Sequence, residues 1–189
     1  ADLFVIKVAG AKAETGVSLS EVKKTAEKAR DNCRTLAVAL SPATIPASGQ
    51  PTFRIGDKEM YFGIGAHGER GVKKTGLLSA DETAQILVDE VAKDLSLGAS
   101  EEVNVIVNGY GSTTLMELFI MSRKVHNILR NLRVHIHRTD VGNFLTTQEM
   151  AGCSVTLMRL DEELKACYDL PAYTPTFAKC PELLKKLKS

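Results

Sequence analysis

Helical and strand patterns alternate along this chain, and that alternation restricts its fold more than any single residue does. Ser18-Leu-Ser-Glu21 and Ser79-Ala-Asp-Glu82 are capping-box tetrads, in which a serine hydroxyl and a glutamate three residues on satisfy each other's backbone amides. Behind the first, Val22, Ala26, Ala29 and Cys33 recur at helical spacing; behind the second, Ile86, Leu87, Val91 and Leu95 do. Leu3, Val5, Ile6 and Val8 predict an earlier short buried helix ending near Gly16. Thr113 to Leu129 reads as a long helix carrying Leu115, Leu118, Phe119, Val125, Ile128 and Leu129, and a short acidic helix starts at Asp161. Strands are predicted at Leu36 to Leu40, at Glu59 to Ile64, through Val103, Val105 and Val107, at Arg133 to Thr139 and at Cys153 to Leu160. Ser41 to Pro51, rich in proline, reads as a loop, and Leu170 to Phe177 as an extended exit. Such alternation predicts an α/β layer architecture in a single domain over residues 1–189.

Charge narrows the partners. The chain has 24 Lys and Arg against 23 Asp and Glu, a net +1, which argues against a dedicated nucleic-acid or membrane surface. The basic cluster Lys185, Lys186, Lys188 is short and reads as a solvated tail. No apolar run approaches the roughly 18 residues of a membrane span, and no signal-peptide pattern opens the chain. Cys33, Cys153, Cys167 and Cys180 form no Cys-x-x-Cys pair, so they offer neither zinc spacing nor a compact disulfide framework. Reduced thiols in a cytoplasmic protein are the simplest reading. The chain starts at Ala1 and enters a helical pattern at once, the expectation for a piece of a larger protein.

One segment is poorly suited to plain packing. Gly63-Ile-Gly-Ala-His-Gly-Glu-Arg-Gly71 places His67 among four glycines, just after the apolar Met60-Tyr61-Phe62. The glycines free the backbone to turn sharply and to let a ligand approach. Gly63, Gly65 and Gly68 match the dinucleotide fingerprint in form, but that fingerprint opens a helix directly and no helix start occurs here before Ser79. His67 itself reads two ways: a structural histidine satisfied by backbone, or a neutral imidazole acting as base, metal ligand or nucleophile. A metal would need partners, and only Glu69 is near in sequence.

Three other places carry chemistry-bearing residues. His135 and His137 lie two apart on a predicted strand and could share a metal, although Arg133 and Thr139 on the same face make it a wet polar surface more readily. His126 reads as a surface or packing residue of the long helix. Asn108-Gly-Tyr-Gly-Ser-Thr-Thr114 is a strand end, a glycine turn and a helix start, whose free amides suit an anion. It lacks a Walker lysine, and an efficient turn capped by Ser112 or Thr113 is the simpler reading.

Taken together, these motifs resemble a family. Ala37-Val-Ala-Leu-Ser-Pro-Ala-Thr-Ile-Pro-Ala-Ser-Gly-Gln-Pro-Thr-Phe53 is followed in order by Gly63-Ile-Gly-Ala-His-Gly-Glu69, Val107-Asn-Gly-Tyr-Gly-Ser-Thr-Thr-Leu-Met-Glu-Leu118 and Val141-Gly-Asn-Phe-Leu-Thr-Thr-Gln-Glu-Met-Ala-Gly152. Ser154-Val-Thr-Leu-Met-Arg-Leu-Asp-Glu-Glu-Leu164 and Ala172-Tyr-Thr-Pro-Thr-Phe177 complete the set. The series resembles the substrate-binding K subunit of dihydroxyacetone kinases, from about Leu3 to Phe177. The chain departs from the family's usual residues at Ala66 (isoleucine), Arg70 (proline) and Gly109 (a second asparagine). The family's first lobe, with its Gly-Gly-Gly-Ser-Gly-His-Glu motif, has no counterpart in this sequence.

The resemblance implies the second, C-terminal lobe of a K subunit: α/β, with a mixed sheet and helices in layers. It implies that Nε2 of His67 attacks the ketone of dihydroxyacetone to give a covalent hemiaminal, with Gly65 and Gly68 letting the ligand approach. Only a carbonyl can form that adduct, so glycerol is rejected by bond-making, and the tether holds the hydroxyl for phosphoryl transfer. Glu69 either orients the imidazole or belongs to the turn, and the turn is favoured because the first lobe would supply the polar partners. No cofactor is expected on this chain. The phosphoryl donor is expected on an L-type nucleotide-binding partner carrying ADP and recharged by a phosphotransferase system, or as ATP. A homodimer completed by the missing first lobe is implied, and the piece alone is expected to be inactive. The second implied activity is non-enzymatic: a K-like paralogue that binds dihydroxyacetone and controls a transcription factor.

Overall fold

Both capping boxes form. Ser18 Oγ accepts from the Glu21 amide while Ser18 N donates to the Glu21 carboxylate at 3.1 Å, and Ser79 and Glu82 repeat the exchange with 2.8 Å for the return bond. A third box starts the long helix. Thr114 and Glu117 exchange the same bonds, so that helix begins at Leu115, one step beyond the predicted caps. Ser112 and Thr113 are engaged elsewhere: Ser112 Oγ donates to the Glu149 carbonyl, and Thr113 Oγ1 donates to the Gly152 carbonyl at 2.7 Å.

The computed structural model describes residues 1–65 and 71–180. Two helices, α1 (Asp2–Glu14) and α2 (Leu19–Asp31), precede β1 (Cys33–Ala39). A minimal hairpin, β2 (Thr44–Ile45) and β3 (Gln50–Pro51), interrupts the predicted loop. Next come β4 (Glu59–Phe62), β5 (Lys73–Gly76) and α3 (Ala80–Asp94). They lead to β6 (Glu102–Gly109), α4 (Leu115–Asn131), β7 (His135–Gly142), β8 (Gly152–Arg159) and α5 (Glu162–Asp169). A last small hairpin, β9 (Ala172–Tyr173) and β10 (Ala178–Lys179), ends the described chain.

Six strands form one sheet in the order β5-β4-β1-β8-β6-β7. Only β6 and β7 pair parallel; the other neighbours are antiparallel, so the sheet is mixed. On one face α3 and α4 pack Leu87, Val91, Leu118 and Val125 against Val105, Val155 and Leu157. On the other, α1, α2 and α5 set Phe4, Val8, Ala29, Leu164 and Tyr168 against Ile106 and Met158. Each such large side chain, fully buried, contributes about 1.5–3 kcal/mol. The valines of β6 alternate as predicted, but both faces of that strand are covered, so every residue from Val103 to Gly109 is buried.

Several boundaries differ from the sequence reading, each for a tertiary reason. Cys33 belongs to β1 rather than to the α2 stripe, because the strand pairs residue for residue with Gly152–Met158. Helix α1 is buried on one side only: Phe4 is sealed while Ile6 is 69% exposed. Leu115 and Phe119 of α4 likewise face outward. Arg133 has φ +59° and turns the chain before β7, so that strand starts at His135. Between Val103 and Asn104 the β6–β7 register slips, pairing Ile136 with Val103 but Arg138 with Asn104, and leaves His137 as an extra residue.

Candidate functional site

The glycine-rich loop is held at its two ends. Gly63 N donates to the Ala37 carbonyl at 2.8 Å, and Val72 N donates to the Phe62 carbonyl at 2.7 Å. Gly63 sits at φ +78°, where a Cβ would come 2.7 Å from Val72 Cγ2, so the close approach of the two ends needs glycine. The loop leads into β5 rather than into a helix, which removes the dinucleotide reading. His67, Gly68 and Glu69, like Ala66 and Arg70, lie outside the described residues.

Gly63, Ile64 and Gly65 form one side of a cavity of about 340 Å³. Its floor is the sheet face on the α1 side, made by Thr35 and Ala37 of β1, Ser154 and Thr156 of β8, and Ile106 and Asn108 of β6. Phe144 and Leu145 wall it opposite the loop, and the start of α1 stands at its mouth. Asp2 is the one charged side chain among the described lining residues. The chamber is therefore apolar with a row of small hydroxyl and amide groups, the make-up of a small-molecule site.

Asn108 builds the far wall. Its Oδ1 accepts from Phe144 N at 2.8 Å and Leu145 N at 2.9 Å, while Nδ2 donates to the Leu145 carbonyl at 2.8 Å. Two backbone donors on one oxygen fix which end of the amide is which. Tyr110, 4% exposed, packs on Ile64 and Met150 and donates from its hydroxyl to the Ile64 carbonyl at 3.5 Å. Gly111, at φ +133°, lets the turn run against residues 147–150: a Cβ there would lie 1.9 Å from the Gln148 carbonyl oxygen. The segment Asn108 to Thr114 is thus a strand-to-helix turn that organises the cavity wall. Its Thr114 and Glu117 amides are spent on the capping box rather than left for an anion. At Gly109 a Cβ would meet Asn143 Oδ1 at 2.1 Å, so the carboxamide of Asn143 takes the space that a larger residue would claim.

The remaining histidines lie elsewhere. His137 pairs with Asp169 at 2.8 Å, with Glu102 3.7 Å away. Burial opposes it, but His137 and Arg138 hold the Asp169 carboxyl below its usual range. His135 is exposed and shares a shallow depression with His126 and Arg133, while His126 bonds Thr139 at 2.8 Å and is pushed down by burial. The register slip gives His135 and His137 separate partners, and among the described residues no three His, Cys, Asp or Glu side chains converge as metal ligands. Burial pushes the Cys153 thiol up to about 12 and that of Cys33 up to about 11, which suits packing rather than nucleophilic chemistry. The Asn108 clamp was not foreseen in the sequence, because its partners are distant along the chain.

Residues 1–176 match the model of the Dak1 domain. Over 176 residues the chain is 42% identical to the dihydroxyacetone-binding subunit DhaK of PTS-dependent dihydroxyacetone kinase 2 from Listeria innocua, spanning 93% of this chain and 53% of that one. Among solved structures, the dihydroxyacetone kinase operon co-activator Dha-DhaQ matches with a TM-score of 0.83 at 30% identity, over 89% of this chain and 53% of its own. The dihydroxyacetone kinase of C. freundii, in complex with AMP-PNP and Mg2+, matches with a TM-score of 0.83 at 25% identity, over 94% of this chain and 32% of its own. The chain spans about half the length of the DhaK relatives it matches. No described helix is long and apolar enough to cross a membrane.

Proposed function

The chain belongs to the Dak1 family, and from that premise we propose that it is the C-terminal lobe of a dihydroxyacetone-binding K subunit, with His67 as its covalent histidine. The observation that carries the reading is the cavity at the foot of the glycine-rich loop. Gly65 is on its rim, and His67 follows two residues later in the sequence. A small polyhydroxy ketone suits a chamber of this size with hydroxyl and amide groups on its floor.

In the proposed step the lone pair of neutral His67 Nε2 adds to the ketone carbon. The C–N bond forms, the carbonyl π bond opens onto its oxygen, and that oxygen gains a proton as Nδ1 gives one up. An ordinary imidazole, with pKa about 6.5, is mostly neutral near pH 7 and so available. The first lobe, outside this sequence, supplies the acid/base residues. An L-type partner carrying ADP, or ATP itself, supplies the phosphoryl group. The subunit works as a cytoplasmic homodimer, and this piece alone is inactive. The name of the Listeria relative favours the PTS-dependent form.

The test uses the full-length subunit with its first lobe. A crystal grown with dihydroxyacetone is expected to give continuous density from Nε2 of His67 to the ligand. An adduct that survives His67→Ala overturns the assignment. The likeness to a co-activator structure supports the regulatory alternative. Phosphoryl transfer with an L partner separates the two, since binding without turnover would refute the kinase reading.

A further inference from the structure

At the opposite end of β6 from the cavity, where α4 ends and β7 begins, we infer a second site, which holds a small phosphate between the guanidiniums of Arg130 and Arg133. The segment from Leu118 to Thr139 carries Arg123, Lys124, Arg130, Arg133 and Arg138 and no Asp or Glu, in a chain whose net charge is only +1. Asp81 and Asp169 meet the charges of Arg123 and Arg138. Arg130 and Arg133 are exposed, and their guanidiniums have no hydrogen bond or ion pair among the described residues. Both line a depression of about 390 Å³ together with Ser100, His126 and His135, and no carboxylate is among its described lining residues. Glu101, next to Ser100 in the chain, is engaged by Gly98 N at 2.7 Å and by Arg159 at 3.5 Å. Positive charges gathered without a counter-charge repel one another, and a bound anion relieves them.

Two details separate this pair from ordinary cations at a helix end. Helix α4 closes in a Schellman cap: Val134 N donates to the Leu129 carbonyl at 2.9 Å and Arg133 N to the Arg130 carbonyl at 3.0 Å. Those carbonyls are bonded by main-chain amides and need no side-chain donor. Arg133 also occupies the left-handed position of the cap, at φ +59°, where glycine is the usual residue. An arginine kept where the backbone favours glycine points to a use for its side chain. The donors define the ligand. Two forked guanidiniums one turn apart suit the oxygens of a phosphate, and Ser100 adds a hydroxyl. His126 bonds Thr139 at 2.8 Å, and burial, with Arg130 second, pushes its imidazole down, so the positive charge rests on the arginines. No Phe, Tyr or Trp is among the described lining residues, so nothing there stacks on a base. The site therefore suits a small phosphate monoester or free phosphate rather than a nucleotide.

The test is a titration of the full-length subunit, at fixed pH and low ionic strength, with inorganic phosphate and with glycerol 3-phosphate, followed by NMR shifts of the His126 and His135 ring protons. Wild type is expected to bind with a Kd on the order of 1 mM. Arg130→Gln and Arg133→Gly should each weaken binding about fivefold, the equivalent of about 1 kcal/mol for an exposed ion pair. Arg123→Gln, which removes a charge that Asp81 already meets, should leave Kd unchanged. Arg133→Gly carries a second readout of opposite sign: without phosphate its Tm should equal or exceed that of wild type, because glycine relaxes the left-handed backbone. Tighter binding of the ester identifies an ester as the ligand, and equal binding identifies free phosphate. Absence of a shift at either histidine up to about ten times the expected Kd overturns the site. So does an unchanged Kd in both arginine variants, or an equal loss in Arg123→Gln. Each of these outcomes leaves the covalent histidine standing, because none of the substituted residues lines the substrate cavity.

Discussion

Replacing Asn108 with alanine removes three hydrogen bonds at once, and the structure allows the cost to be worked out. The lost bonds join the amide to Phe144 N, Leu145 N and the Leu145 carbonyl. At about 0.5–1.5 kcal/mol each, their loss sums to about 3 kcal/mol. For a chain of this size that corresponds to a fall in Tm of about 6–12 °C. In urea, with a slope of about 2 kcal/mol/M, the midpoint should drop by about 1.5 M without a change of slope. Hydrogen exchange should localise the damage, with the Phe144 and Leu145 amides losing protection first. Asn108→Asp sharpens the case, because it keeps the two acceptor bonds but sets a carboxylate oxygen against a carbonyl. A loss below about 0.5 kcal/mol for Asn108→Ala, or ordinary protection at residues 144 and 145, would refute the clamp.

Two further outcomes can be checked on the same preparation. Glu163, bonded by Lys28 and Lys12, has its carboxyl held down at about 2 from 4.5; a depressed folded value means that this stabilisation is complete above pH 4.5 and is lost as pH falls toward 2. Urea midpoints between those limits should decline more steeply in wild type than in Glu163→Gln, and equal slopes would remove Glu163 from the acid response. With Cys33, Cys153 and Cys167 buried and Cys180 exposed, a thiol reagent at pH 8 should titrate one fast cysteine in the native chain and four after unfolding. A second fast thiol would contradict the packing of Cys33 on β1, Cys153 on β8 or Cys167 on α5.

What the sequence disclosed is what neighbouring residues decide. Ser18 with Glu21 and Ser79 with Glu82 are local exchanges, and both helices start where those tetrads stand. Thr114-Leu-Met-Glu117 carries the same signal, and weighing it would have placed the start of α4 correctly. The family motifs pointed to the Dak1 family because long ordered runs such as Ala37 to Phe53 are specific where single glycine patterns are not. Long-range pairings were hidden. Asn108 meets residues 36 and 37 positions away. The bulge at His137 comes from register with β6, and β5 is a strand only because β4 lies beside it; its own residues, Lys73-Lys-Thr-Gly76, carry no apolar alternation. The polar floor of the cavity needs three strands side by side, an order that no local pattern encodes.

That order has a consequence for how the protein is made. Strand β8 lies between β1 and β6, and residues that touch across it, such as Thr35 and Thr156, are 121 positions apart. At about 5–20 residues per second a ribosome needs about 6–24 s to travel from one to the other. Throughout that interval β1 and then β6 emerge with a vacant slot between them and bare backbone along each inner edge. Such edges recruit strands from other chains. A nascent polypeptide of this design spends its synthesis time waiting for its central strand, and shielding those two edges is work for a chaperone until β8 emerges.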